Sequence, residues 1–170
     1  GSPIAAITRA QERALEKSLE NDGSFVVTTA MRYWQPSTDE ALLKLAEEEV
    51  DSIIALSLYP HFSCATSGSS MKELKRRMPK LCPVPLREIG SFPSHPGYIE
   101  CLAEKISEGL DRFGSDQVEI LYSAHSLPKS FIDEGDPYVD HLMQTITGVE
   151  KITGINGRIC YQSRSGPVEW

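Results

Sequence analysis

The chain has 170 residues, 40% of them hydrophobic and 24% charged, enough to build a core in one domain or one and a half. A net charge of −7 argues against a nucleic-acid backbone or an anionic membrane surface as partner. No apolar run approaches the roughly 18 residues of a membrane span. The cysteines Cys64, Cys82, Cys101 and Cys160 form no C-x-x-C pair, which suits reduced thiols in the cytoplasm better than a disulfide scaffold or a zinc site.

The elements alternate. Thr8-Arg9-Ala10-Gln11 has the form of a capping box and predicts a helix running to about Glu20. Asn21-Asp22-Gly23 breaks it, and the β-branched and aromatic residues 24–34 predict a strand. Ser37-Thr38-Asp39-Glu40 is a second capping box, before a helix over 39–50. Residues 52–58 read as an apolar strand. A third helix opens at Ser70, with Ser69 and Ser70 as caps, and stops before Pro79. Residues 83–89 predict a strand. A long amphipathic helix over 96–113 sets Ile99, Leu102, Ile106 and Leu110 on one face. A strand then leads to His125, a helix follows over 137–152, and a last strand covers 158–163. Such alternation implies an α/β fold, parallel sheets flanked by helices. The expected boundary is Gly114-Ser115-Asp116. It gives a first domain over 1–114 and the beginning of a second over 115–170. That second unit is incomplete, and the chain reads as an internal fragment with apolar sheet surface left for self-association.

The most informative stretch is Ser123-Ala124-His125-Ser126-Leu127-Pro128, followed by Gly135-Asp136-Pro137-Tyr138. His125 is expected just past the C-terminal end of a strand, where open α/β sheets bind ligands. Asp136 reads as a helix N-cap and Pro137 as a first helical residue. Imidazole can take a proton or ligate a metal near neutral pH. A hydrogen-bonded structural histidine is the alternative.

Read together, these stretches resemble ferrochelatases, which insert ferrous iron into a porphyrin. Met31-Arg32-Tyr33-Trp34, with Pro36, Thr38, Glu40 and Ala41, is similar to the family's MRYW-x-P-x-T-x-E-A. Leu58-Tyr59-Pro60-His61-Phe62-Ser63-Cys64 with Thr66-Ser67-Gly68-Ser69-Ser70 is similar to LYPQYS-x-x-TTGSS. Gln162-Ser163-Arg164 with Gly166, Pro167 and Trp170 matches QSR-x-G-P-x-x-W. The resemblance covers nearly the whole chain and implies a chelatase-type two-domain architecture. Two places depart from it: Phe92-Pro93 stand where tyrosines are common, and Ser165 where an apolar residue is.

The resemblance implies His125 as base and metal ligand. Its partner is a glutamate from a segment later than those present here, so the isolated chain is expected to be inactive. Arg32, Tyr33, Tyr59, Ser63, Thr66, Ser67, Gln162, Ser163 and Arg164 become expected substrate-binding residues. Arginine suits a propionate because its planar fork takes both oxygens, although Arg32 as a carbonyl cap or surface ion pair is the alternative. Some members hold a [2Fe-2S] cluster, and Cys64 stands at the place of its first ligand. The other cysteines lack cluster spacing, so Cys64 as a small buried residue is the preferred reading. No cofactor is required, and ferrous iron and porphyrin are substrates. His61, His95 and His141 are lesser candidates, His141 expected to face solvent. Trp34 and Trp170 are expected in the core or a cleft wall. The rival functions are a chelatase for another metal or tetrapyrrole, and a non-catalytic haem-binding module with His125 as axial ligand. The expected location is the cytoplasm, with peripheral membrane attachment of a full-length protein left open.

Overall fold

Helices and strands alternate in the computed structural model, which describes residues 2–114, 117–164 and 166–170. The predicted boundary residues Ser115 and Asp116, the departure at Ser165 and the opening Gly1 lie outside those residues. The chain forms two compact units. One takes the residues up to Leu56 with Gly68–Glu88, the other Ser57–Ser67 with the residues from Ile89 on. Among the described residues no helix is long and apolar enough to cross a membrane.

In the first unit α1 (Ile4–Leu19) precedes α2 (Thr38–Glu47), β1 (Ile53–Leu56), α3 (Ser69–Leu81) and β2 (Leu86–Ile89). The second capping box forms as predicted: the Ser37 hydroxyl accepts the Glu40 N–H at 3.3 Å, and Glu40 accepts the Ser37 N–H at 2.7 Å. Residues 38, 41, 42 and 45 then fall on one buried face of α2. Leu42 and Leu45 pack with Ile53, Met78 and Cys82 into the core, and Val26, Leu74 and Leu86 close around it. Burying a side chain such as Leu42 contributes about 1.5–3 kcal/mol. β1 and β2 pair in a two-stranded sheet.

Four expectations are corrected here. Thr8 lies inside α1 rather than capping it, because helix-favouring Ala5 and Ala6 carry the helix back to Ile4. Residues 24–30 form no strand, and the segment makes one bridge, Met31 to Ser37. β propensity needs a neighbouring strand to be realised, and this segment turns instead through a cis Gln35–Pro36 peptide. α3 runs past Pro79 to Leu81. A proline in the last turn removes one ladder bond, and burial of Met78 and Cys82 offsets that loss. α3 also starts without a side-chain cap, because a π-helical turn at Cys64–Gly68 leads straight into it and Gly68 stands at the cap position.

The second unit contains α4 (Pro96–Phe113), β3 (Ile120–His125), a short unpredicted α5 (Lys129–Asp133), α6 (Tyr138–Thr153) and β4 (Gly157–Gln162). β3 and β4 pair in parallel, Ile120 opposite Gly157 and His125 opposite Gln162. Such a pair needs a crossover, which α6 supplies. Two glycines permit close approach. A Cβ on Gly157 would stand 2.6 Å from the Tyr122 ring, and one on Gly148 would stand 3.0 Å from Ile99, where α6 lies on α4. This unit holds residues from both sides of the predicted boundary at 114.

Candidate active site

His125 is the last residue of β3 rather than the first of the following loop, and its side chain is exposed. Its Nδ1 lies 2.8 Å from the carbonyl oxygen of Ser126. A carbonyl can only accept, so Nδ1 is the donor of this bond, and in the neutral ring the lone pair is on Nε2. An imidazole held this way can accept a proton or bind a metal ion through Nε2.

The next residue secures that position. Ser126 is buried, and both its N–H and its hydroxyl donate to the Gln162 carbonyl, at 2.9 and 3.0 Å. The loop leaving His125 is therefore tied to the end of β4. Gln162, Ser163 and Arg164 follow there, all exposed. Ser163 donates to the Gln162 side chain, and its φ of 67° puts it in the left-handed region. Half-buried Tyr138 lies beside the same strand end. Burial pushes its phenol up and nearby Tyr161 adds to that, while the His125 N–H, donating toward it, works the other way.

The loop over 59–68 shows a division of labour. Tyr59 and Cys64 are exposed, Thr66 is half-buried, and Ser63 and Ser67 are buried. The Ser63 hydroxyl donates to Asp136 at 2.9 Å and accepts the Ala65 N–H at 3.2 Å. The Ser67 hydroxyl is a buried polar atom with no hydrogen-bond partner among the described residues. His141 does not face solvent: it is half-buried, and its Nδ1 accepts the Phe62 N–H at 3.1 Å. His61 lies 2.8 Å from Thr145, whose hydroxyl donates to the Pro93 carbonyl at 2.6 Å, so His61 Nε2 is the donor of its own bond. Tyr98 and Tyr138 stand edge-on to that ring. Burial, then the neighbouring His141, hold His61 below the usual histidine value.

Cys64 is exposed rather than buried. Its hydrogen bond to the Asp136 carboxylate, then burial, push the thiol up. A cluster ligand must be a thiolate, and an adjacent carboxylate disfavours one. Cys82 is in the core of the first unit, Cys101 is on α4 and Cys160 is on β4. The residues present do not fit a [2Fe-2S] site. Among the described residues no three of His, Cys, Asp and Glu converge on a metal position.

In the first unit Arg32 and Tyr33 lie on the loop that replaces the predicted strand. Both are exposed, with the Arg32 guanidinium 4.7 Å above the Tyr33 ring. Trp34 is exposed rather than in the core. These residues line a groove of about 580 Å³ together with Glu73, Arg76 and Arg77. Arg76 pairs with Glu73 at 2.7 Å, and Arg77 pairs with Asp39. The Arg76 hydrogen bond, opposed by slight burial, and the charges of Arg76 and Arg32 hold the Glu73 carboxyl low.

Asp136 is the residue that sequence reasoning undervalued. The sequence marked it as the N-cap of the following helix, a place the structure gives to Pro137, and nothing local showed that its carboxylate would hold Ser63 and Cys64.

An α/β chain with parallel strands, flanking helices and an exposed histidine of fixed tautomer at a strand's C-terminal end has the architecture of the chelatase class. The ferrochelatase family model matches residues 1–170, and the chain belongs to that family. It is 54% identical to the ferrochelatase of Desulfotalea psychrophila over 171 residues, covering 100% of this chain and 53% of that protein. It is 52% identical to the ferrochelatase of Geobacter metallireducens, covering 99% of this chain and 54% of that one. With the ferrochelatase of Gloeobacter violaceus the identity is 42%, over 100% of this chain and 54% of the relative. The chain spans about half the length of the curated relatives it matches.

Proposed function

We propose that this chain carries the histidine side of a site that inserts ferrous iron into a porphyrin, protoporphyrin IX or coproporphyrin III, in haem biosynthesis. The reaction is that of a lyase forming nitrogen–metal bonds. The observation that carries the reading is His125, exposed at a strand end with Nδ1 committed to Ser126 and Nε2 left as an acceptor.

The free-base macrocycle holds two pyrrole N–H protons. Entry of Fe²⁺ releases both, so charge and atoms balance as the dication replaces two H⁺. His125 Nε2 accepts a pyrrole proton, or meets the incoming iron, and passes its proton to solvent between turnovers. The family resemblance assigns its partner to a glutamate in a later segment. On this reading the 170 residues alone would be inactive, because one acid–base group would have to do the work of two.

Arg32 and Tyr33 are proposed to hold a propionate, with Tyr59, Thr66, Gln162, Ser163 and Arg164 as further substrate contacts. Ser63 and Ser67, both buried, are proposed to shape the loop that presents them. The division into 1–114 and 115–170 is proposed for the domains of a longer protein, and the cytoplasm as its location.

The test is turnover by the full-length protein with protoporphyrin IX and coproporphyrin III. Ferrous iron and cobalt(II) are the parallel arms, beside a haem titration. Iron insertion into either porphyrin supports the reading. Preference for cobalt makes it a chelatase for another metal. Haem binding without turnover makes it a binding module.

A further inference from the structure

We propose that Asp136 is a positioning residue, setting the loop that carries Tyr59 and Thr66 against the first turn of α6 and thereby against His125. The proposal rests on the porphyrin-handling reading above and adds to it a residue that touches no substrate.

The two oxygens of Asp136 face different parts of the chain. Oδ1 accepts the Tyr138 N–H at 3.0 Å, an ordinary duty at a helix start. Oδ2 accepts the Ser63 hydroxyl at 2.9 Å and the Cys64 N–H at 2.7 Å, from residues 73 and 72 positions earlier. A carboxylate serving only as a cap needs only its own helix. Here it also neutralises a main-chain donor and a fully buried hydroxyl on the loop. Bonds to a charged acceptor are about twice as strong as neutral ones. Burial works to raise the Asp136 carboxyl, but the N–H and thiol of Cys64, the Ser63 hydroxyl and the Tyr138 N–H outweigh it and hold the group ionised.

The same helix grips the loop again one turn on, where His141 accepts the Phe62 N–H. Tyr138, held at its N–H by Asp136, carries the phenol that lies beside the His125 main chain. Asp136 therefore joins the loop proposed to hold substrate to the element that borders the histidine. No single-element pattern in the sequence contains this link.

Asp136→Asn keeps the shape and removes one acceptor. Whichever way the amide turns, an NH₂ meets an N–H or O–H donor, on the loop side or on the helix side. The experiment uses the full-length protein with ferrous iron, and measures kcat and the porphyrin KM separately for coproporphyrin III and protoporphyrin IX. Loss of a charge-assisted buried bond should raise the porphyrin KM of Asp136→Asn on the order of tenfold while kcat stays within about threefold. Ser63→Ala should move KM the same way by less, and the double variant should be no worse than Asp136→Asn, since both act through one contact. An unchanged KM, a fall confined to kcat, or single effects that multiply in the double variant would overturn the proposal. Should Asp136→Asn not fold, Ser63→Ala decides alone, and an unchanged KM overturns it. Inactivity of the wild-type protein on both porphyrins is a different result. It removes the functional reading, and this proposal with it.

Discussion

Ser126 binds the carbonyl of Gln162 twice, through its N–H at 2.9 Å and its hydroxyl at 3.0 Å, directly beside the cross-strand pair His125 and Gln162. Its own carbonyl accepts the His125 Nδ1–H at 2.8 Å. One residue thus fixes both the strand end and the imidazole tautomer, the first by its donors and the second by its acceptor.

Ser126→Ala should keep the N–H bond and lose the hydroxyl bond. The expected cost is about 0.5–1.5 kcal/mol of stability, read from urea unfolding of the full-length protein. The His125 tautomer should survive, because it depends on the main-chain carbonyl. A ¹⁵N spectrum of the His125 ring checks that part: a switch of the proton to Nε2 would show that the carbonyl bond does not set the tautomer.

His61 gives a pH dependence whose sign follows from its environment. Burial first, and His141 second, hold its folded value below the ordinary 6.5. The unfolded chain therefore takes up the proton first as pH falls, so stability is full above 6.5 and declines below it, until the folded histidine also protonates. His61→Gln retains a donor for Thr145 but does not titrate. Its unfolding midpoint should change less between pH 7 and pH 5 (roughly the span over which histidine titrates) than that of the wild type. Parallel profiles for the two proteins would contradict the assignment.

The α4–α6 contact can be tested without touching the proposed site. A Cβ on Gly148 would meet three atoms of Ile99 at 3.0 to 3.2 Å. Gly148→Ala should destabilise the protein by about 1–3 kcal/mol through overpacking. Adding Ile99→Val, which removes one methyl group, should recover part of that loss. No recovery in the double variant would mean that the strain is relieved elsewhere.

The sequence was readable where a signal was local. The Ser37–Glu40 box, the helix over 96–113 and the strand ending at His125 need only neighbouring residues, and all three formed. Residues 24–34 misled because their β-branched composition says nothing about whether a partner strand is at hand. Thr8 misled because a capping pattern inside a stretch of good helix formers does not stop the helix from starting earlier. At the site, His125 and the motif residues were legible as chemistry. Cys64 was not, since the acid beside it is Asp136, 72 residues away. His141 was misplaced on the solvent side for the same reason, because the N–H it accepts belongs to Phe62, 79 residues earlier.

The central claim is that the exposed Nε2 of His125 does the proton or metal work of porphyrin metallation. The most direct measurement compares the full-length wild type with His125→Ala, following ferrous iron insertion and porphyrin binding in the same preparations. Removing a positioned acid–base group should lower turnover by on the order of 10²–10⁴, while the porphyrin Kd stays within a few-fold of wild type. Turnover near that of the wild type in His125→Ala, or an equal loss of binding and turnover, would contradict the account.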